Sequence, residues 1–483
     1  MTSFLRRHRV FLAIAAAGLV VRVIALLAYH PALWFPDSLG YAAVGVHPYP
    51  TVIRPAGYSL LLLWPLHWSH SFLLVVIVQH LLGLSAGVLI YALLVRRGIQ
   101  HWAAALASAP VLLSAYEIQI EHFVLSDALF IFLLVAAMAA LLWNPSPGWL
   151  GCAVAGLLLA AAAVTRTEGE VLIAALVLWL VTRPNASWPV RTAKAALVCG
   201  AFALPLVSYV AWFHHDHGQY RLTYSTGSFL AARAESFANC PADGIPPADR
   251  WLCTTSGHTP DWYLWAAAAP LHRVPAGEFT KASDQNGTSF ALRVFEAQPM
   301  EYLLTTWRGV LQNFSSEGSA YEDGLGQASF AFPARPPITV ARLADANLSR
   351  GYLAPIYRYD SSPSTQLDQP WVSILGVYQQ VVVVPPIAAA LIALAGLAGL
   401  VLTQERRGGP GLLPWLAAAI LLIFPAATSG FGARYELAAI APFCLAAALG
   451  LAEITGDASL ARSRHQPPPL ADSEPLGQRW QEH

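Results

Sequence analysis

The chain has 483 residues, of which 56% are hydrophobic and only 12% charged, with a mean hydropathy of +0.50. An average soluble domain carries about 25% charged residues, so a water-soluble globule is excluded. The formal net charge of +0 removes the cationic surplus that a nucleic-acid partner needs. What remains is an integral membrane protein.

A helix needs ~20 mostly apolar residues to cross the hydrocarbon core. Windows of this kind at 10–29, 71–95, 102–115, 124–143, 149–164, 170–181, 195–213, 377–403, 412–427 and 437–452 predict an all-α polytopic membrane bundle of about ten spans. Arg6, Arg7 and Arg9 precede the first, which is expected to be a signal anchor because many spans follow it. With the N-terminus inside, Arg96, Arg97, Arg183, Arg191, Lys194, Arg406 and Arg407 all fall in inner loops, as the positive-inside rule requires. The same threading puts Asp37, Arg54, Glu117, Glu121, Asp127, Arg166, Glu168 and Arg434 at or beyond the outer ends of spans. The span middles read as clean. Ionisable residues near membrane depth are functional candidates, so the outer rim is the expected working surface.

Four parts are expected. Residues 1–213 form an N-terminal membrane module whose first outer loop, 30–70, is apolar and proline-broken, as short interfacial helices would be. Residues 214–370 are too long for a connection and should fold as a mixed, mainly helical outer domain, 371–457 return to the membrane, and 458–483, with Pro467, Pro468 and Pro469, read as a disordered cytoplasmic tail. In the outer domain Asn286 is expected to cap a helix running to Pro299, with a second from Met300 to Phe314. Cys240 and Cys253 are expected to pair as a disulfide, whereas Cys152, Cys199 and Cys444 lie in spans as small apolar residues. His214, His215, Asp216 and His217 are read as a polar collar, since consecutive side chains diverge and do not converge on one ion.

Five short motifs carry chemistry. Asp37 follows the first span amid Trp34, Phe35 and Tyr41; desolvation there is expected to raise its carboxyl pKa and make it a proton acceptor, and Tyr41 lies one helical turn on. The alternative is that Asp37 caps a helix beginning at Ser38. Arg54-Pro-Ala-Gly-Tyr58 describes a fixed turn that presents a guanidinium to a phosphate. Glu121 and Asp127 stand at the outer junction of the third and fourth spans, and Asp127 could also complement a helix dipole. Arg166 and Glu168 lie between two spans, and Arg434 and Tyr435 follow a glycine-rich turn at the start of the last.

In order, sidedness and spacing, these motifs resemble the GT-C class of lipid-carrier-dependent glycosyltransferases, kin of protein O-mannosyltransferases and aminoarabinose transferases. The resemblance is good over the first seven spans and looser beyond them. It implies a polyprenyl-phosphate sugar donor in the bilayer, Asp37 as catalytic base, inversion at the anomeric carbon, and Arg54 or Arg434 on the leaving phosphate. Glu121 or Asp127 becomes the second carboxylate, because Ser38 stands where many relatives have an adjacent acid; this weakens the case for a divalent metal, and no other cofactor is implied. Tyr41, Tyr58, Arg166, Glu168 and Tyr435 are carried along as substrate-binding positions. The expected setting is the plasma membrane, with both termini cytoplasmic and the active site outside, and the acceptor is left open. The alternative reading is a transporter or flippase of a lipid-linked sugar, which would place polar groups near the bilayer midplane; an envelope scaffold is a third.

Overall fold

The computed structural model describes residues 2–184, 186–240, 243–247, 250–253, 257–266, 268–273, 279–315, 331–335, 337–347, 350–403, 408–430 and 433–456. Arg406, Arg407 and the expected tail at 458–483 lie outside the described residues. The described chain is mainly helical, with a two-residue antiparallel pairing in which Tyr29 faces Leu367 and His30 faces Gln366, and an isolated parallel bridge between Leu33 and Phe123.

Each apolar window falls on a helix. Among the described residues four helical segments are long and apolar enough to cross a bilayer, namely Leu5–Ala28, Phe72–Arg96, Trp188–His217 and Leu437–Thr455. The window expected as one span at 377–403 is broken. Helices Trp371–Val381 and Pro386–Leu402 meet at 51°, because Pro385 and Pro386 cannot donate the backbone bonds that would continue the first helix. Helices His101–Leu113, Asp127–Leu142, Trp149–Thr165 and Leu412–Thr428 are apolar but shorter. Close packing of the last spans depends on glycine: a Cβ on Gly399 would lie 2.3 Å from the Gly450 Cα.

The bundle has two chemically different ends. At one, Arg96 donates to the Trp143 carbonyl and the Asn144 side chain, Lys194 to the Pro147 carbonyl, and His8 stacks edge-on against His101. At the other, the ends of several spans bring acids and arginines together, as described below.

The span middles are not clean, contrary to the sequence reading. Arg22, in the first span, makes a two-pronged contact with Glu121 at 2.8 and 2.6 Å and donates to the Leu112 carbonyl at 2.7 Å. His80 bonds the same carboxylate at 2.8 Å and reaches His122 at 3.0 Å, and His122 meets the Tyr29 carbonyl at 2.6 Å. Gly83 leaves room for this group, since a Cβ there would sit 1.8 Å from a Glu121 oxygen. A buried ion pair is tolerable only when its hydrogen-bonding capacity is filled in this way.

The segment expected as one outer domain divides in two. Helices Thr226–Glu235, Pro260–Trp265 and Lys281–Ala297 enclose their own apolar cluster around Ala231, Tyr263, Phe290 and Val294, and a disulfide joins Cys240 to Cys253. Residues 332–367 instead pack on the first outer loop. Tyr29 donates to the Pro333 carbonyl, Trp34 to that of Pro363, and Tyr359 to that of Leu63. Helix Lys281–Ala297 begins before Asn286, because Thr280 already caps it by accepting from the Ser283 backbone N–H.

Candidate functional site

The site is assembled from the first outer loop upward. Pro36 starts the helix Pro36–Val46, and the Ser38 hydroxyl accepts from the Phe35 backbone N–H at 3.0 Å. Ser38 thus serves the helix start, and Asp37 does not act as its cap. The Asp37 side chain, 5% exposed, turns inward with both oxygens engaged by guanidinium groups: Arg54 Nη2 donates to Oδ1 at 2.7 Å and Arg434 Nη2 to Oδ2 at 2.8 Å.

Arg54 is fixed by its turn. The Thr51 hydroxyl donates to the Arg54 carbonyl, and the Ala56 N–H donates to the Tyr209 hydroxyl at 2.9 Å. Gly57 lets the turn lie against the end of helix Trp149–Thr165, where an added Cβ would be 2.2 Å from the Val164 carbonyl oxygen. The next residues after that carbonyl are Thr165 and Arg166, so the same close approach brings two of the expected motifs together.

Arg166 forms a second ionic group. It donates to Asp127 Oδ1 through one nitrogen and to Glu168 Oε1 at 3.0 Å through another, while its guanidinium lies 5.8 Å from the Phe130 ring and 5.5 Å from that of Tyr435. Asp127 Oδ2 is buried with no hydrogen-bond partner. Tyr41 reaches this group through Ser126, its hydroxyl 3.2 Å from Oγ. Three acids and three arginines are therefore interleaved at one rim, and no side-chain charge is left over among these six.

Burial alone would raise the Asp37 carboxyl. Arg54, Arg434 and the more distant Arg166 outweigh that penalty and hold it below the ordinary aspartate value. The expectation of a raised carboxyl is corrected accordingly: in this arrangement Asp37 is an ionised, strongly held carboxylate.

Two expected members stand apart. Glu121 is committed to Arg22 and His80, so it serves the buried network and not the Asp37 group. Tyr58 is fully buried and donates to Gln79 Oε1 at 2.7 Å; its ring only abuts that of Tyr41, with centroids 5.1 Å apart. One unexpected member appears. The Trp265 ring, from the outer domain, lies 5.9 Å from the Arg54 guanidinium, and Pro260 from the same helix packs on Gly430. No short-range pattern in the sequence marks Trp265, whereas Arg22 was visible as a charge within an apolar run.

Among the described residues no three His, Cys, Asp or Glu side chains gather as a metal site. His214 stacks on Tyr220 and His217 bonds the Pro50 carbonyl at 2.7 Å, so the collar residues diverge.

Residues 62–220, which include the Arg166 group and the spans that carry it, match the family model of dolichyl-phosphate-mannose-protein mannosyltransferases. The matched segment is less than half of the chain, and it agrees with the resemblance to GT-C glycosyltransferases that the sequence motifs carry. Among solved structures, the chain is similar to the S. cerevisiae protein O-mannosyltransferase complex bound to the sugar donor, at 16% identity and a TM-score of 0.36, covering 49% of this chain and 37% of that one. It is also similar to the Archaeoglobus fulgidus oligosaccharyltransferase in the apo form, at 14% identity and a TM-score of 0.44, covering 94% of this chain and 51% of that one. The archaeal oligosaccharyltransferase AglB of Archaeoglobus fulgidus, in complex with an inhibitory peptide and a dolichol-phosphate, gives 13% identity, a TM-score of 0.44 and the same coverage. The chain thus spans about half the length of the archaeal structures and less of the yeast one. No curated protein matches it at a significant level.

Proposed function

We propose that this chain is a membrane glycosyltransferase that moves a sugar from a polyprenyl-phosphate carrier to an acceptor hydroxyl, on the extracytoplasmic side and with inversion. The observation that carries the reading is the Asp37 carboxylate held between Arg54 and Arg434 at the rim of the bundle. The family match over residues 62–220, whose description names a lipid-phosphate mannose, supports the donor class. The side rests on the positive-inside rule, with Arg96, Arg183, Arg191 and Lys194 facing the cytoplasm.

The charge arrangement suggests how the step runs. The acceptor oxygen attacks the anomeric carbon, the bond from that carbon to the phosphate oxygen breaks, and the electron pair leaves with the carrier phosphate. The acceptor proton passes to Asp37. A phosphodiester with one negative charge becomes a monoester with two as Asp37 goes from charged to neutral, so total charge is unchanged while its location shifts. Arg54 and Arg434, released from the carboxylate, are free to follow the charge to the leaving oxygen, where preorganised cations stabilise the transition state most. This exchange answers the difficulty that a doubly paired carboxylate is a weak base: the incoming phosphate competes for its arginines and raises its basicity when it is needed. Asp127, Arg166 and Glu168 complete the wall, and no metal enters the scheme because the guanidinium groups take that electrostatic role.

The test is transfer from radiolabelled polyprenyl-phosphate sugars, hexoses and pentoses in parallel, in membranes containing the wild-type chain or Asp37→Asn. Undiminished transfer by the variant removes Asp37 from the mechanism. Absence of transfer from every sugar by the wild-type chain, under conditions where the carrier binds, would overturn the reading.

A further inference from the structure

The helix Pro299–Gln312 has three faces. At 100° per residue, Met300, Leu303, Leu304, Trp307 and Leu311 fall within an arc of about 100°. All five are large, apolar and exposed, at 42–65% of their surface. Glu301, Thr305, Arg308 and Gln312 occupy the adjoining sector, with Arg308 bonded to Glu301 at 3.2 Å. The remaining sector faces protein: Val310 is buried, and Gly309 comes so close to the bundle that a Cβ there would meet the Ala426 Cβ at 3.2 Å.

The depth of the helix is fixed at its C-terminal end. Asn313 is buried and caps the last turn by donating to the Gly309 and Val310 carbonyls at 3.1 Å. Phe314 then inserts among Ala389, Ile440 and Cys444, side chains of the spans Pro386–Leu402 and Leu437–Thr455. A helix whose end is held by membrane-spanning residues cannot expose five large apolar side chains to bulk water at that level without a heavy cost in hydration. The span Pro386–Leu402, which Phe314 touches at Ala389, likewise exposes the large apolar side chains Ile387, Leu391 and Leu394.

We propose that the helix Pro299–Gln312 lies in the plane of the bilayer interface on the active-site side, with Met300, Leu303, Leu304, Trp307 and Leu311 among the lipid acyl chains. The polar sector meets headgroups and water, as in amphipathic helices that rest on a membrane without crossing it. The helix follows directly on Lys281–Ala297, which packs against Thr226–Glu235 within the outer domain, so lipid seats the domain that carries Trp265 over Arg54. The inference does not depend on the reaction proposed above.

Spin labels at single cysteines test it, on a background of Cys152→Ala, Cys199→Ala and Cys444→Ala that keeps the Cys240–Cys253 disulfide. The protein is placed in nanodiscs of phosphatidylethanolamine and phosphatidylglycerol and probed with oxygen, which concentrates in lipid, and a nickel chelate, which stays in water. Labels at Leu303→Cys and Trp307→Cys should collide several-fold more with oxygen than with nickel, and a label at Arg308→Cys should show the reverse; Leu304→Cys substitutes if either variant fails to fold. Equal nickel access at 303, 307 and 308 would place the stripe in water and overturn the proposal. Shielding of 303 and 307 from both probes would overturn it equally, by showing that protein covers the stripe.

Discussion

Arg434 and Asp37 are 397 positions apart in the chain, and a 2.8 Å hydrogen bond joins them. The bond closes the bundle, because the first outer loop and the start of the last span are held together by one carboxylate that Arg54 grips from its other side. In the proposed reaction, binding and chemistry are thereby coupled at a single group.

Replacing that group should separate the two. Asp37→Asn is expected to lower transfer by about 10²–10⁴, the usual range for loss of a general base. It also leaves two guanidinium groups without their counter-ion, so affinity for polyprenyl phosphate should rise. Single-turnover transfer and carrier binding, measured on the same membranes, check both directions.

Arg434→Lys and Arg54→Lys should reduce kcat more than they raise KM. Lysine keeps the charge but loses the planar fork that can hold a carboxylate and then a phosphate. The loss expected is about 2–3 kcal/mol of transition-state stabilisation, or ~10²-fold, comparable to removing one oxyanion donor. An effect confined to KM would assign these arginines to ground-state binding alone.

Glu121→Gln should behave as a stability variant. It leaves the buried Arg22 without its carboxylate, and breaking a buried pair from one side costs about 3–5 kcal/mol. Combining Arg22→Met with Glu121→Leu should recover much of the loss. Thermal unfolding in detergent, followed by tryptophan fluorescence, reports it; a normal unfolding temperature with lost transfer would return Glu121 to the mechanism.

Outer-domain stability should depend on pH through Glu235. This carboxyl is buried, neither oxygen has a hydrogen-bond partner, and burial pushes its pKa from 4.5 up to about 9. A raised folded value means that its contribution is complete below the unfolded value and is lost as pH rises through the folded one, at ~1.4 kcal/mol per pH unit across that window. Glu235→Gln keeps the shape without the ionisation and should flatten the dependence between pH 5 and about 9. Unfolding scans of both proteins over that range decide it.

The legible part of the site was the part written locally. Asp37 and Tyr41 share a helix face, Arg54 is held in a proline turn, and Arg166 with Glu168 sits between adjacent spans, so short spacings sufficed to nominate them. Glu121 has the same local signature because sequence gives the end of a span but not the direction of its side chain; its partner, Arg22, is visible as a lone charge in the first apolar run, but no spacing links the two. Trp265 could not be found at all, since its position over Arg54 depends on how the outer domain sits on the bundle. The chain neighbours of Asp37 are apolar, which points to a raised carboxyl, whereas its state is set by cations that only folding delivers.

Tyr29 and His30 pair with Leu367 and Gln366, while Trp34 and Leu63 hold Pro363 and Tyr359. The extramembrane stretch is therefore not a detachable globule. Cloned alone as 214–370, it would lose the counterpart against which Phe332, Val340, Ile356 and Tyr359 are buried, and those side chains would drive the fragment into inclusion bodies. Crystallisation, antibody production and partner screens should use the intact polypeptide, or a piece trimmed to the disulfide-bearing helices at 226–298.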